Sequence, residues 1–161
     1  MIRRRGASLN ELEALYRGRF AIFVSVAASV TGDSERAHDA VQEAFATAVQ
    51  KRSSFRGDGP LEAWVWRIVL NAARADVRRI TPVAGYAETG AVNGDPGPDA
   101  TLRAALVLLP ERQRTAVFLR YFADLDYAAI GEALGISTGS VSATLSAAHA
   151  TLRNRLEEVR T

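Results

Sequence analysis

The stretch "DYAAIGEALGISTGSVSATLSAAHATLRNR", Asp126–Arg155, decides the fold of the second half of this chain. Asp126 is placed to cap a short helix that runs through Leu134, and Gly135 supplies the turn that ends it. Ser137 then caps a longer helix, whose apolar stripe consists of Val141, Leu145, Ala148, Leu152 and Leu156. A short helix, a glycine turn and a longer helix are typical of a helix-turn-helix, although an ordinary helical hairpin fits the same pattern.

The longer helix lacks the cationic side chains that a DNA-reading helix needs. Between Arg120 and Arg153 the chain contains no Lys and no Arg. Proteins gain affinity for duplex DNA largely by neutralising phosphates and releasing counterions, and this gain scales with the number of phosphates neutralised. A helix-turn-helix at this place would therefore have poor affinity of its own for DNA.

The 161-residue chain divides at Thr81–Ala100, a segment with four glycines, three prolines and no apolar periodicity. We interpret it as a flexible acidic linker of net charge −3 between a domain at 1–80, of net charge +4, and a domain at 101–161, of net charge +1. In the second domain, helices are also predicted at Leu102–Leu109 and from Pro110 to about Phe122.

The first domain is predicted to be a helical bundle. A capping box at Ser8–Glu11, "SLNE", starts its first helix. The break "TGDSE", Thr31–Glu35, ends that helix, and Asp33 or Ser34 caps a second one that runs to about Lys51. After a loop at Ser53–Pro60, a helix from Leu61 to about Arg79 is expected to bury a stripe of Trp64, Val65, Ile68, Val69 and Ala72. No stretch alternates with period two, so the predicted fold class is all-α, with two small helical domains.

Composition excludes several classes of protein. The absence of cysteine excludes a disulfide framework and a thiolate zinc site. No apolar run approaches the roughly 18 residues of a membrane span, and no apolar region follows the basic start of the chain, so we expect a cytoplasmic protein without a membrane segment or secretory signal. His38 and His149 lie in different halves, and no carboxylate pair or phosphate-binding glycine loop is evident. We therefore expect no catalytic residues, no metal and no cofactor.

The second helix carries an acidic stack. Glu35, Asp39 and Glu43 are spaced four residues apart and share one face, with Gln42 beside them. Like charges at this spacing destabilise a helix by about a few tenths of a kcal/mol each. The stack has no Lys or Arg at matching spacing, which favours a basic partner surface, although a simple solvated face remains the alternative.

A basic stripe follows on the last helix of the first domain, formed by Arg67, Asn71, Arg74 and Arg78. The preceding loop region contributes Arg52, Phe55 and Arg56. Cations that track a phosphate backbone, combined with an aromatic ring for stacking, suit single-stranded DNA. The alternative is a helix decorated with charge for solubility.

Taken together, these features resemble the extracytoplasmic-function sigma factors, the smallest class of bacterial RNA polymerase promoter-recognition subunits. The resemblance spans most of the chain outside the linker and the two ends. It is carried by "LYRGRFAIFVSVAASVTGDSERAHDAVQEAFATAV", "FRGDGPLEAWVWRIVLNAARADVRR" and "ALVLLPERQRTAVFLRYFADLDYAAIGEALGISTGSV".

The resemblance implies a role for each feature of the first domain and for the linker. In "DAVQEAF", Asp39, Gln42 and Glu43 match positions that dock on the clamp helices of core RNA polymerase. The loop Ser53–Pro60 and the helix after it match the part that opens the −10 promoter element and captures an unpaired base. The candidates for that contact are Arg52, Phe55, Arg56, Trp64, Arg67, Asn71, Arg74 and Arg78. The linker matches the segment that threads near the polymerase active-site cleft.

The helix-turn-helix matches the domain that reads the −35 element and touches the polymerase flap. By the same resemblance, the candidates for −35 contact are Thr138, Ser140, Ser142, Thr144, His149 and Arg153. The chain departs from the family here, because Ser142, Thr144, Ala147 and His149 stand where Lys and Arg are usual.

This departure leaves three interpretations of the chain. The first is a working sigma factor that binds the −35 element only weakly. The second is a sigma-like protein whose second domain binds an anti-sigma factor or polymerase instead of DNA. The third is a stand-alone helix-turn-helix regulator, which the missing charge disfavours.

Overall fold

The computed structural model describes residues 6–80 and 98–160, with the backbone alone at 98–100. These segments form α-helices and one short 3-10 turn without any β-strand, which confirms the predicted all-α class. The N-terminal bundle consists of α1 (Leu9–Thr31), α2 (Ser34–Gln50), the 3-10 turn (Arg52–Ser54) and α3 (Leu61–Ile80). The C-terminal bundle consists of α4 (Pro98–Val107), α5 (Glu111–Tyr121), α6 (Tyr127–Leu134) and α7 (Thr138–Arg160). Across both segments, no helix is long and apolar enough to cross a bilayer.

The first two helices begin where the sequence predicts. Ser8 Oγ accepts a hydrogen bond from the Glu11 amide at 3.1 Å, and a Glu11 carboxylate oxygen accepts one from the Ser8 amide at 2.9 Å. This is the complete capping box. Gly32 ends α1 in the left-handed region at φ 73°, and Asp33 caps α2 by accepting from the Arg36 amide at 2.8 Å. Local chemistry therefore sets the boundary between α1 and α2.

The residues that α3 buries in the core of the N-terminal bundle differ from the predicted stripe. Trp66, not Trp64, is fully buried, and its ring lies 4.2 Å from that of Phe23, centroid to centroid. Val65 and Val69 are buried as predicted, whereas Trp64, Ile68 and Ala72 are only partly buried. The expected stripe was wrong by part of a turn because α1 and α2 cover the side of α3 that carries Trp66, Val69 and Ala73.

The predicted linker falls largely outside the described residues, since 81–97 are not among them. The helix predicted from Leu102 begins earlier, at Pro98, and includes the last three residues assigned to the linker. A proline at the first helical position is well tolerated, because the amide it lacks would have no partner within the helix.

The two bundles pack against each other, with α6 on α3 and α5 on α1. Arg114 of α5 donates from Nε to the Ser29 carbonyl at 2.8 Å and from Nη1 to the Val107 carbonyl at 3.0 Å. Burial lowers the pKa of the Arg114 guanidinium, and the nearby Glu111 carboxylate acts in the opposite direction. On the other side, Arg19 of α1 donates to the Ala123 carbonyl. Two guanidinium groups thus join the bundles through backbone oxygens.

The side chain of Thr115 in α5 carries a buried hydroxyl group. Thr115 has no exposed surface, and its Oγ1 has no hydrogen-bond partner among the described residues. An unpaired buried hydroxyl costs about 1–3 kcal/mol, and valine has nearly the same shape without it. We expect Thr115→Val to raise the free energy of unfolding by about 1 kcal/mol in urea denaturation. Thr115→Ser keeps the hydroxyl and removes a methyl, so it should lower the free energy of unfolding. A Thr115→Ser protein that is more stable than the Thr115→Val protein would contradict the conclusion that the buried hydroxyl is unpaired.

Candidate functional site

The acidic stack forms an open surface on α2. Glu35, Asp39, Gln42 and Glu43 are all exposed. Arg36, the neighbouring cation, points away and bonds Asp76 of α3 with Nε at 2.9 Å and Nη2 at 2.8 Å. Arg79 approaches Glu43 at 3.7 Å, but both side chains are mostly exposed and the contact is long. Within 6–80 and 98–160, no ion pair involves Glu35 or Asp39, so the surface keeps most of its negative charge.

An apolar groove of about 430 Å³ lies between α1 and α2, one turn along α2 from Gln42. Its lining consists of Leu9, Leu12, Glu13, Tyr16, Phe45, Ala46 and Val49. Leu9 is about half exposed, at 52%. The α2 surface therefore combines carboxylates with an accessible apolar groove, which is a combination suited to a protein partner.

The loop that precedes α3 is held in place by backbone hydrogen bonds from two residues that precede α1. The Gly6 amide donates to the Phe55 carbonyl at 2.8 Å, and the Ala7 amide donates to the Arg52 carbonyl at 2.8 Å. The Phe55 ring lies 5.5 Å from that of Trp64, centroid to centroid, and both rings are partly exposed. The structure thus brings two of the predicted −10 candidates together as an aromatic pair at the base of α3.

The remaining −10 candidates lie in the preceding loop region and along α3, and together with the aromatic pair we call the whole set the strand face. Arg56, Arg67, Asn71 and Arg78 are exposed, as is Arg52, which also donates to the Val49 carbonyl at 2.8 Å. Arg74 differs, because it is half-buried and its Nε bonds Glu111 of α5 at 2.9 Å. The predicted basic stripe therefore exists, but the C-terminal bundle engages one of its cations.

The helix-turn-helix is formed as the sequence predicts. Asp126 caps α6 by accepting from the Ala129 amide at 2.8 Å, and Gly135 ends it at φ 70°. Ser137 accepts from the Ser140 amide at 3.1 Å, ahead of α7. Val141, Leu145 and Ala148 of α7 are buried, as expected from the stripe.

The −35 candidates lie along the open side of α7, but three of them form side-chain hydrogen bonds within the protein. Ser140 Oγ accepts from the Ser137 hydroxyl at 3.0 Å. Thr144 donates to the Ser140 carbonyl at 2.7 Å, and His149 Nε2 shares a 2.9 Å hydrogen bond with the Tyr121 hydroxyl. The exposed members are Thr138, Ser140, Ser142 and Arg153. Tyr121, which is 62% exposed, belongs to this surface and was missed from the sequence, since nothing in its own pattern links it to α7.

Gly131 is a second residue that motif reasoning missed. The Ile136 amide donates to its carbonyl at 2.9 Å and closes the turn. A Cβ at position 131 would lie 2.7 Å from the Ile136 carbonyl oxygen, a backbone atom that cannot move aside cheaply. The tight turn of the helix-turn-helix thus requires glycine here.

We expect Gly131→Ala to lower the free energy of unfolding by about 2 kcal/mol, since overpacking against backbone costs about 1–3 kcal/mol. Gly139→Ala is the matched control, because a Cβ there meets only Ser137 Oγ at 3.9 Å and alanine favours the helix. Thermal unfolding of both variants measures the difference in their stability. A Gly131→Ala protein as stable as the Gly139→Ala protein would contradict the steric argument.

Comparison with known proteins agrees with this two-bundle architecture. Residues 16–81 match the sigma-70 region 2 family, and residues 99–152 match the sigma-70 region 4 family. The chain is 32% identical over 136 residues to the ECF RNA polymerase sigma factor EcfG of Rhodopseudomonas palustris, a match that covers 78% of this chain and 74% of that protein. It is 27% identical over 164 residues to the RNA polymerase sigma factor YlaC of Bacillus subtilis, covering 94% of this chain and 95% of the relative.

Among solved structures, the fold is similar to that of the sigma factor RpoE from Bartonella quintana, crystallised with the anti-sigma factor NepR. The TM-score is 0.71 at 22% identity, over 93% of this chain and 98% of that one. Two helical bundles, of which the second contains a helix-turn-helix, define the class of transcription-initiation subunits that carry sigma-70 regions 2 and 4. The chain belongs to the extracytoplasmic-function RNA polymerase sigma factors, which are promoter-specificity subunits.

Proposed function

We propose that this chain directs transcription initiation by binding core RNA polymerase through α2 and promoter DNA through α3 and the helix-turn-helix. In this proposal residues 1–80 form the docking and −10 domain, 81–100 form the linker, and 101–161 form the −35 and flap-contacting domain. The observation that carries it is that one bundle presents two oppositely charged surfaces, an acidic one on α2 and a basic one on α3. Asp39, Gln42 and Glu43 present an open acidic surface to the basic clamp helices. Arg67, Asn71 and Arg78 of α3 present cations and an amide to DNA.

The aromatic pair supplies what capture of an unpaired base needs. A base leaving the duplex loses its stacking partners, and an exposed aromatic ring replaces them at a gain of about 1–3 kcal/mol per base. Phe55 and Trp64 present two such rings beside Arg56, whose exposed guanidinium can reach a phosphate. The backbone bonds from Gly6 and Ala7 hold the loop in place, which reduces the entropy lost on binding.

In this proposal α7 binds the −35 element only weakly. Thr138, Ser140 and Ser142 are neutral, and Arg153 is the cation among the candidates on α7. Neutral hydroxyls can bond phosphates but release few counterions. Once the N-terminal bundle is docked, tethering raises the effective concentration of DNA near α7, so weak contacts suffice.

A second candidate function assigns the C-terminal bundle to protein contact, with an anti-sigma factor or polymerase as the partner. The open side of α7 carries no Lys or Arg before Arg153, which favours it, and so do the hydrogen bonds that Thr144 and His149 form within the bundle. A stand-alone regulator is the weakest alternative, because α3 carries several exposed cations whereas α7 has no Lys or Arg before Arg153. We assign no enzymatic activity, cofactor or metal to the chain, and we place its action in the cytoplasm, where RNA polymerase works.

The test is start-site mapping with purified core polymerase and promoters selected by the reconstituted complex from a random-sequence library. We expect defined start sites, and scrambling the −10 element should reduce initiation more than scrambling the −35 element. Polymerase binding without defined start sites would instead support the protein-contact function. A footprint on duplex DNA in the absence of polymerase would support the stand-alone regulator and contradict the proposal.

A further inference from the structure

The positive charge that α7 carries ahead of Arg153 depends on a single histidine. Between Arg120 and Arg153 the chain has no Lys and no Arg, and His149 is the one histidine of that stretch. Histidine gains its charge between about pH 8 and pH 5, whereas the serine and threonine hydroxyls of α7 stay neutral. This part of α7 is therefore uncharged or cationic according to the protonation of His149.

His149 lies half-buried on the open side of α7, beside Tyr121 at the end of α5. Its Nε2 is 2.9 Å from the Tyr121 hydroxyl oxygen, and the two ring centroids are 5.8 Å apart. Steps of seven and four residues return to the same side of a helix, so His149 shares a face with Ser142 and Arg153. Ser142 and Arg153 are both exposed. The imidazole therefore lies on the face that the −35 candidates define.

The hydrogen bond to Tyr121 is compatible with both protonation states of His149. A tyrosine hydroxyl both donates and accepts, so it donates to Nε2 of a neutral ring that carries its proton on Nδ1 and accepts from Nε2 of an imidazolium. Protonation thus adds a charge without breaking this contact. A ring whose orientation is already set loses less side-chain entropy when it meets a phosphate.

The ionisable groups on the elements packed against α7 leave the charge of His149 unneutralised. Within 6–80 and 98–160, no ion pair involves His149. The carboxylates of α5, of α6 and of the loop between them contact other groups, which are Arg74 for Glu111, Arg120 for Asp124, the Ala129 amide for Asp126 and Gly59 for Glu132. The remaining ionisable groups on α4, α5 and α6 are Arg103, Arg112, Arg114, Arg120, Tyr121 and Tyr127, and Arg153 follows about one turn along α7. A charge gained at His149 therefore stays available to an external anion.

We propose that His149 is a titratable DNA contact, through which a fall in pH strengthens the binding of α7 to the −35 element. The protonated ring neutralises a phosphate that the neutral ring does not. Because a phosphate favours the imidazolium over the neutral ring, the complex takes up a proton, and the affinity rises as the pH falls. The inference rests on the proposed function, since it assumes that the open side of α7 faces DNA.

The test compares the unmodified full chain with His149→Gln, His149→Arg and His38→Gln. Glutamine has no charge at any pH, and arginine is always charged. His38→Gln is the matched control, because His38 is the other histidine of the chain and lies on α2 with its ring 5.0 Å from that of Phe20. Anisotropy of a labelled duplex DNA pool of random sequence, at about pH 8 and about pH 6 and at several low salt concentrations, measures the affinity and its salt dependence.

We expect the unmodified chain and the His38→Gln protein to bind DNA about fivefold more tightly at the lower pH, with a salt dependence steeper by up to about 0.9, the value for one phosphate. The His149→Gln protein should show neither change. The His149→Arg protein should bind at the higher pH as tightly as the unmodified chain does at the lower one.

A gain in affinity on acidification that persists in His149→Gln would overturn the inference, because another group would then be titrating. Tight binding by His149→Arg beside an unmodified chain that does not respond to pH would also overturn it, while the proposed contact between α7 and DNA would stand. If His149→Arg binds no more tightly than His149→Gln, position 149 does not face DNA and the inference fails. Binding to core polymerase and the separate variant Ser142→Lys with Thr144→Arg still test the proposed function in that case.

Discussion

The double variant Asp39→Ala with Glu43→Ala should lose at least about a hundredfold in affinity for core RNA polymerase, since removing one partner of a desolvated charge pair costs about 2–5 kcal/mol. Both side chains are exposed on α2, so the free protein should fold normally. Promoter-specific initiation should be lost together with binding. Titration of labelled core polymerase measures the affinity, and circular dichroism measures the fold.

Two controls separate docking from a general effect of charge. Glu157→Ala with Glu158→Ala removes the same charge from the last turns of α7, near the helix end where acidic side chains are unfavourable. Arg79→Ala removes the cation that approaches Glu43 and leaves both carboxylates in place. Polymerase binding should persist in both controls. Undiminished binding by the Asp39/Glu43 variant would exclude α2 as the docking surface.

Adding positive charge to α7 should raise the affinity of the chain for duplex DNA. Ser142→Lys with Thr144→Arg should raise affinity for duplex DNA about tenfold at low salt and steepen the salt dependence by about 0.9 per phosphate newly contacted. Ser142 is exposed, and Thr144 is half-buried, so the long stem of arginine can lie along the helix while its head group stays in water. Anisotropy at several salt concentrations gives both the affinity and the slope.

The matched control is Ser142→Gln with Thr144→Gln, which adds length without charge and removes the Thr144 hydrogen bond to the Ser140 carbonyl in the same way. Its affinity should stay at the level of the unmodified chain. If the Lys/Arg variant behaves like this control, the open side of α7 does not face DNA, and the protein-contact function gains support.

Elements governed by local chemistry were predictable from the sequence. The capping box at Ser8–Glu11 and the caps at Asp33 and Asp126 depend on side chains that bond amides three residues away. The turn at Gly135 depends on a left-handed conformation that glycine adopts freely. The acidic face of α2 was also predictable, because side chains four residues apart share a helix face.

The surroundings of the arginines were not predictable in this way. Arg67, Arg74 and Arg78 fall on one stripe by spacing alone, yet Arg78 is exposed while Arg74 bonds Glu111, which lies 37 residues away in the chain. Spacing defines which face of a helix a residue occupies, but not which distant element covers that face. His149 and Tyr121 give a second example, with their hydrogen bond spanning 28 residues between α5 and α7.

The sequence by itself determined the all-α class, the boundary between α1 and α2, the helix-turn-helix and the family, because each depends on contacts within a few residues or on motifs in sequence order. The tertiary structure alone decided that Trp66 and not Trp64 fills the core, that Gly131 must lack a side chain, and that α6 covers α3. Those outcomes depend on the angles at which helices pack. A helix offers several apolar faces at small angular separations, and only the packing of its neighbours selects the buried one.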